Sequence, residues 1–139
     1  VPDWAEGALG RYYLYFAPHQ GKFIRLAYAD DVLGPYTVYS PGVLDIESTS
    51  FDRHIASPDV HLDNDARVFR MFYHGHRFQR EKPDNIGQTT CYAESSNGLA
   101  FESEHVCVGP SYLRVVEYDG WYYGFGQAPG DKVPLCSSN

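Results

Sequence analysis

The sequence predicts an all-β fold of the propeller type, with two to three antiparallel four-stranded blades in an incomplete ring. Three observations carry this expectation. Gly10-Arg11-Tyr12-Tyr13-Leu14-Tyr15-Phe16 returns in outline as Arg67-Val68-Phe69-Arg70-Met71-Phe72-Tyr73, and again as Gly120-Trp121-Tyr122-Tyr123-Gly124-Phe125. The copies are followed by matching punctuation: Tyr28-Ala29-Asp30 then Gly34, Tyr92-Ala93-Glu94 then Gly98, and Ser137-Ser138-Asn139 mirroring Ser95-Ser96-Asn97. Aromatic residues make up 16% of the 139 residues, twelve of them tyrosine, a mixture suited to pleated, half-buried surfaces. Repeats of roughly fifty to sixty residues lie near the range of radial β-architectures, whose units bury their faces against neighbours. The units divide at about 1–50, 51–108 and 109–139, and the first and last are expected to be incomplete.

The elements follow in order. Residues 12–17 form an apolar run between Gly10 and Pro18, as expected of a strand buried on both faces. A turn around His19-Gln20-Gly21 leads to residues 23–29, where Ile24, Leu26 and Tyr28 share one face and Arg25 takes the other beside Ala27. Gly34-Pro35 stops this run, and residues 36–39 form a short outer strand. The second unit starts at 58–62 and turns at Asn64-Asp65 into 67–74. A polar loop with Lys82, Pro83 and Asp84 leads to 88–94. Asn97-Gly98 is a hairpin turn needing positive φ, and 99–102 returns as the outer edge. The third unit opens with 112–118, the turn Asp119-Gly120, and 121–125. Apolar spacing of three and four never persists over ten residues, so no long helix is expected.

Charge narrows the partners. Eleven basic against eighteen acidic side chains give a net charge of -7, with no basic stripe to neutralise phosphates. Nucleic acid and an anionic membrane surface are therefore not expected as partners. No apolar run approaches a membrane span and no leader opens the chain, which places it by default in the cytoplasm. Cys91, Cys107 and Cys136 are an odd set at spacings unlike a metal site, and read as small apolar strand residues in a reducing compartment. His74-Gly75-His76 lacks a third ligand at a recognisable interval, so neither a metal nor a cofactor is expected.

Four segments together resemble the five-bladed β-propeller glycosidases of the family 43 type. They are Tyr12-Tyr13-Leu14-Tyr15-Phe16-Ala17, Ile24-Arg25-Leu26-Ala27-Tyr28-Ala29-Asp30, Gly34-Pro35-Tyr36 and His54-Ile55-Ala56-Ser57-Pro58-Asp59-Val60. The resemblance runs from about residue 1 to residue 125. It implies an axial funnel that binds a saccharide, and three carboxylates: a base on the first blade, a pKa-tuning Asp on the second and a Glu acid on the third. Glycoside hydrolysis needs two carboxyl groups across the scissile bond, one protonated and one ionised. The family's second carboxylate precedes a proline, where this sequence has Ser57 before Pro58. Its acid precedes a Gly-Pro pair, where Val108 precedes Gly109-Pro110, and the first inner strand would lie before Val1. The usual triad is thus incomplete.

Substitutes can be named. Strand alternation puts Asp59 on the side of Ser57, so Asp59 is a candidate base or pKa modulator; equally, it could pin the strand through backbone amides. His54 and His74 converge on the funnel as candidate proton donors, since an imidazole titrates near neutrality, or else serve as polar wall residues. Arg25, Ser57, Gln88 and His19 are candidates for holding the sugar, Arg25 through a planar guanidinium that could instead be paired at a blade seam. Trp4 and Trp121 could stack on sugar rings or pack between blades.

Two to three blades leave flat apolar faces and strand edges unpaired, which predicts self-association into a homo-oligomer. The functional expectation is a carbohydrate-active module resembling glycoside hydrolases, if active a hydrolase. The alternative is a non-catalytic sugar-binding or structural self-associating module.

Overall fold

A computed structural model describes residues 1–76 and 87–127, and the backbone of 135–138. The polar loop with Lys82, Pro83 and Asp84, and Asn139 of the third repeat, lie outside the described residues.

The chain is all-β, in three antiparallel sheets that follow one another along the sequence. The first is a meander of β1 (Tyr12–Phe16), β2 (Phe23–Ala29) and β3 (Thr37–Asp45). The second contains β4 (Ile55–Asp63), β5 (Val68–His76), β6 (Gln88–Ser95) and β7 (Glu102–Pro110), and is a complete four-stranded blade. The third pairs β8 (Arg114–Tyr118), β9 (Trp121–Phe125) and β10 (Leu135–Ser138). The one helical element among the described residues is a 3-10 turn at Ile46–Ser48, started by the Asp45 carboxylate accepting the Glu47 N–H. No described helix is long and apolar enough to cross a membrane.

The core sits between the first and second sheets. Ile24 and Leu26 of β2 alternate inward, as their period-2 spacing requires, against Ile55, Phe69, Met71 and Tyr73. Trp4 closes one end of this seam. Its ring meets Phe69 edge-on at 5.2 Å and its indole N–H donates to Asn64 Oδ1, so it packs between blades. Tyr15 crosses the seam at the other side. It packs edge-on against Phe101, and its hydroxyl donates to the Gly98 carbonyl at 2.9 Å. The Asn97-Gly98 turn is shaped for this contact: Gly98 has φ +74° and its amide donates to Ser95 Oγ.

Several strand expectations need correction. β1 is not buried on both faces: Leu14 is 53% exposed, because the face opposite the core has no partner among the described residues. The third strand is longer than 36–39 and continues across a register shift to Asp45. The outer strand of the second blade is Glu102–Pro110, not 99–102, because Phe101 turns inward to the core and Leu99 packs against it. On that strand Cys107 lies opposite Cys91, with the sulfurs 3.4 Å apart.

β4 begins at Ile55, three residues before the expected start, and carries Pro58 through a bulge. Ala56 pairs with His74 and Asp59 with Phe72, so three steps on β4 match two on β5. The extra residue is Ser57, at φ +53°. This resets the alternation on which the shared facing of Ser57 and Asp59 was expected. Asp59 instead takes the side of Ala56, His74 and Phe72.

The bulged start of β4 lies tight against β5. A Cβ at Gly75 would stand 2.4 Å from the Phe51 ring and 2.7 Å from the His54 carbonyl oxygen. Gly75→Ala is therefore expected to cost about 2–3 kcal/mol in urea unfolding. A loss below about 0.5 kcal/mol would mean that the strands are not in this contact.

Candidate functional site

The site forms where the β1–β2 turn, the start of β4 and the end of β5 meet. Gly21 closes its turn on the Pro18 carbonyl, and the Gly21 carbonyl accepts the Ile55 N–H at 2.9 Å. That tie brings His19 beside His54, with ring centroids 6.5 Å apart. On β5, His74 and His76 flank Gly75, and the glycine allows the His54 backbone to approach between them. His54 reaches both: its ring lies 5.8 Å from His74, edge-on, and 6.1 Å from His76. Tyr112, between β7 and β8, stands against His74, with ring centroids 4.1 Å apart.

Four histidines thus lie close together, three of them buried and His19 exposed. His74 is 1% exposed, His76 5% and His54 9%. Both nitrogens of His74, Nε2 of His54 and Nδ1 of His76 have no protein hydrogen-bond partner among the described residues. A buried polar atom without a partner costs about 1–3 kcal/mol, so a group of them at one place calls for a ligand or solvent. Burial pushes His74 down to about 4, helped by the fields of His54, Arg114 and His19. Burial likewise lowers His54, with His76, His19 and Lys22 adding to it. His76 is lowered by burial and Arg53, partly offset by Asp52. At neutral pH His54, His74 and His76 are neutral, each offering one donor and one acceptor.

Asp59 is placed differently. Its Oδ2 accepts the Val115 N–H at 2.9 Å and lies 3.2 Å from His61 Nε2. Burial alone would raise it, but the His61 bond, the Val115 amide and nearby Arg114 outweigh burial and hold it below the usual carboxylate range. The carboxylate ties the second sheet to the third. Ser57 sits at the bulge, where its carbonyl accepts from Arg114. Gln88 is exposed at the start of β6, in register with His76. Arg25 lies on the β2 face opposite the buried Ile24 and Leu26, its guanidinium 6.0 Å from the Phe23 ring centroid.

The structure therefore brings together His19, His54 and His74 of the expected residues, with Gln88 on the strand beside His76. It turns Asp59 toward the third sheet and leaves Arg25 outside. Sequence reasoning missed His76 and Tyr112 as partners. The signal for His76 was present, since residues i and i+2 of a strand share a face. For Tyr112 no local signal existed. A separate cleft of about 960 Å³ runs between β4–β5 and the third sheet, lined by Leu62, Arg70, Phe72, Leu113 and Val115 among others, and shares none of the four histidines. Among the described residues no three His, Cys, Asp or Glu side chains are arranged to hold a metal ion.

Comparison with known proteins places the fold. No protein-family model matches the sequence. The uncharacterized protein R118 of Acanthamoeba polyphaga mimivirus is 32% identical over 141 residues, which cover 88% of this chain. The chain spans 38% of that relative's length. Among solved structures, the GH43_1 enzyme from Xanthomonas citri matches with a TM-score of 0.63 at 15% identity, over 81% of this chain and 35% of its own. CoXyl43, a GH43 β-xylosidase/α-arabinofuranosidase from a compost microbial metagenome, solved with xylotriose in a calcium-free form, matches with a TM-score of 0.57 at 18% identity. That match covers 76% of this chain and 31% of its own. The chain thus has the fold of the family 43 propellers, over about a third of their length.

The low His74 value sets a pH dependence. The folded state holds this imidazole neutral, whereas the unfolded chain binds a proton below about pH 6.5. Its contribution is fully present above pH 6.5 and is lost as pH falls toward about 4, by up to about 3 kcal/mol. Urea unfolding should show this decline between pH 7 and 4, and His74→Asn should flatten it. An unchanged slope in the variant would contradict the placement of His74.

Proposed function

We propose that the chain is a carbohydrate-binding propeller module of glycoside-hydrolase-like fold, which takes a saccharide among His19, His54, His74 and His76 in an axial funnel. The observation that carries this is the set of buried imidazole nitrogens without hydrogen-bond partners among the described residues. A neutral imidazole and a sugar hydroxyl are both donor and acceptor, so each hydroxyl can satisfy two rings at once. The Tyr112 ring beside His74 adds an aromatic surface suited to the apolar face of a pyranose. The xylotriose complex of the related propeller supports the same reading.

Binding is favoured over hydrolysis. Ser57 and Val108 occupy the positions where the resemblance leads one to expect carboxylates. Asp59 is engaged with Val115 and His61, and His74 is deprotonated far below neutrality, which suits neither a free base nor a proton donor. Titration with xylotriose and other neutral oligosaccharides, followed by NMR, should show saturable binding that weakens at least tenfold in His74→Ala. A panel of aryl glycosides should show no turnover. Turnover lost in Asp59→Asn would restore the hydrolase reading, with Asp59 as base and His74 or His54 as donor. Absence of binding to every saccharide would refute the proposal.

A second reading rests on a separate observation. Leu14, Val38 and Phe23 lie on the face of the first sheet opposite the core, 53%, 54% and 37% exposed. Such a face suits self-association into a homo-oligomer. Light scattering across a concentration series should give a mass above that of one chain, and a monodisperse monomer at micromolar concentration would contradict it.

A further inference from the structure

The charges around the histidines are unlike those of the chain as a whole. Although the net charge is -7, three cationic side chains border the group, each from a different segment. Lys22 follows the β1–β2 turn and acts on His54; its ammonium donates to the Asp52 carbonyl. Arg53 precedes His54 and acts on His76. Arg114 opens β8 and acts on His74; one of its nitrogens donates to the Ser57 and Leu113 carbonyls, leaving the rest of its five-donor fork for other partners.

Among the described residues, the acidic groups near this space are Asp52 and Asp59. The Asp59 carboxylate is directed to the Val115 amide and His61. Asp52 acts on His76 in the opposite sense to Arg53. Among the described residues, Lys22, Arg53 and Arg114 therefore outnumber the carboxylates, even before any of His19, His54, His74 or His76 takes a proton. Tyr112 covers His74 from the third segment and adds a phenol.

Within this frame His74 is buried, and among the described residues neither of its nitrogens has a partner, nor does Nε2 of His54 or Nδ1 of His76. His74 has no partner among the described residues to fix its tautomer, so either of its nitrogens can donate, and the rings of His54 and Tyr112 lie within 5.8 Å of it. Clustered imidazole donors under a positive field fit an oxyanion better than a hydroxyl, because charge-assisted bonds are roughly twice as strong as neutral ones.

We propose that the saccharide held here carries an anionic substituent, a carboxylate or an ester-linked phosphate, which sits against His74, His54 and His76 under the field of Lys22, Arg53 and Arg114. This rests on the saccharide reading of the same site and names its substrate class. The bound anion favours protonated imidazole, so binding takes up protons and tightens as pH falls.

Three ligands that differ at C6 test it: glucose, glucuronate and glucose 6-phosphate, titrated by NMR at pH 7.5 and 5.5 beside xylotriose. At least one acidic sugar should bind about tenfold more tightly than glucose, and its advantage should widen at pH 5.5. Whichever acidic sugar binds better identifies the source of the oxyanion. The double variant Lys22→Gln, Arg53→Gln should remove most of the advantage while glucose and xylotriose bind as before. Equal affinity for glucose and both acidic sugars would overturn the inference and leave the saccharide reading intact. Binding of xylotriose alone would do the same. Binding of inorganic phosphate with no sugar bound would overturn both readings, and so would binding of nothing.

Discussion

The inner end of the second blade depends on one close approach: Gly75 of β5 lying against the His54 carbonyl and the Phe51 ring. A side chain there would separate the strands, and the approach fixes where His74 and His76 stand relative to His54. The amide of Ile55 then bonds to Gly21, so the first sheet's turn is drawn to the same point and brings His19 with it. Backbone contacts made for packing thus collect four imidazoles from three chain segments. Nothing in the side chains themselves would bring them together, because their mutual fields and burial both disfavour charge there.

That arrangement carries a cost which the surrounding core offsets. Ile24, Leu26, Met71 and Tyr73 are fully buried a short distance along the same strands, and each large apolar side chain contributes about 1.5–3 kcal/mol on burial. The apolar seam can therefore hold polar nitrogens that have no partner among the described residues. Asp59 and Arg114 work at the opposite margin of the bulge, joining β4 to the third sheet through Val115 and Ser57. The division is physical: Asp59 joins the sheets, while the buried histidine nitrogens have no such partner among the described residues.

Much of the fold was legible in the sequence. β2 and β9 fall where the apolar patterns put them, and β5 and β6 differ by a residue or two, because aromatic runs between turn residues mark strands directly. The misplaced elements were those with mixed pattern. β7 carries Glu102, Glu104 and His105 on an exposed strand with irregular register, so its polarity read as edge and turn. β4 holds a proline at a bulge, which in sequence reads as a strand start. For the site, His54 and His74 were visible as a convergent pair, whereas the facing of Asp59 was not. A single inserted residue at Ser57, with positive φ, reverses every later side chain, and composition does not announce it. Tyr112 could not be foreseen because its contact crosses from one sheet to the next.

The most direct test of the account is histidine-selective NMR during titration with saccharide. Six histidines report at once, and His61 and His105 lie outside the group as internal controls. The account predicts that His19, His54, His74 and His76 shift together and saturate at one affinity while His61 and His105 stay still. Shifts confined to the two controls, or none in the four while ligand binds, would contradict it.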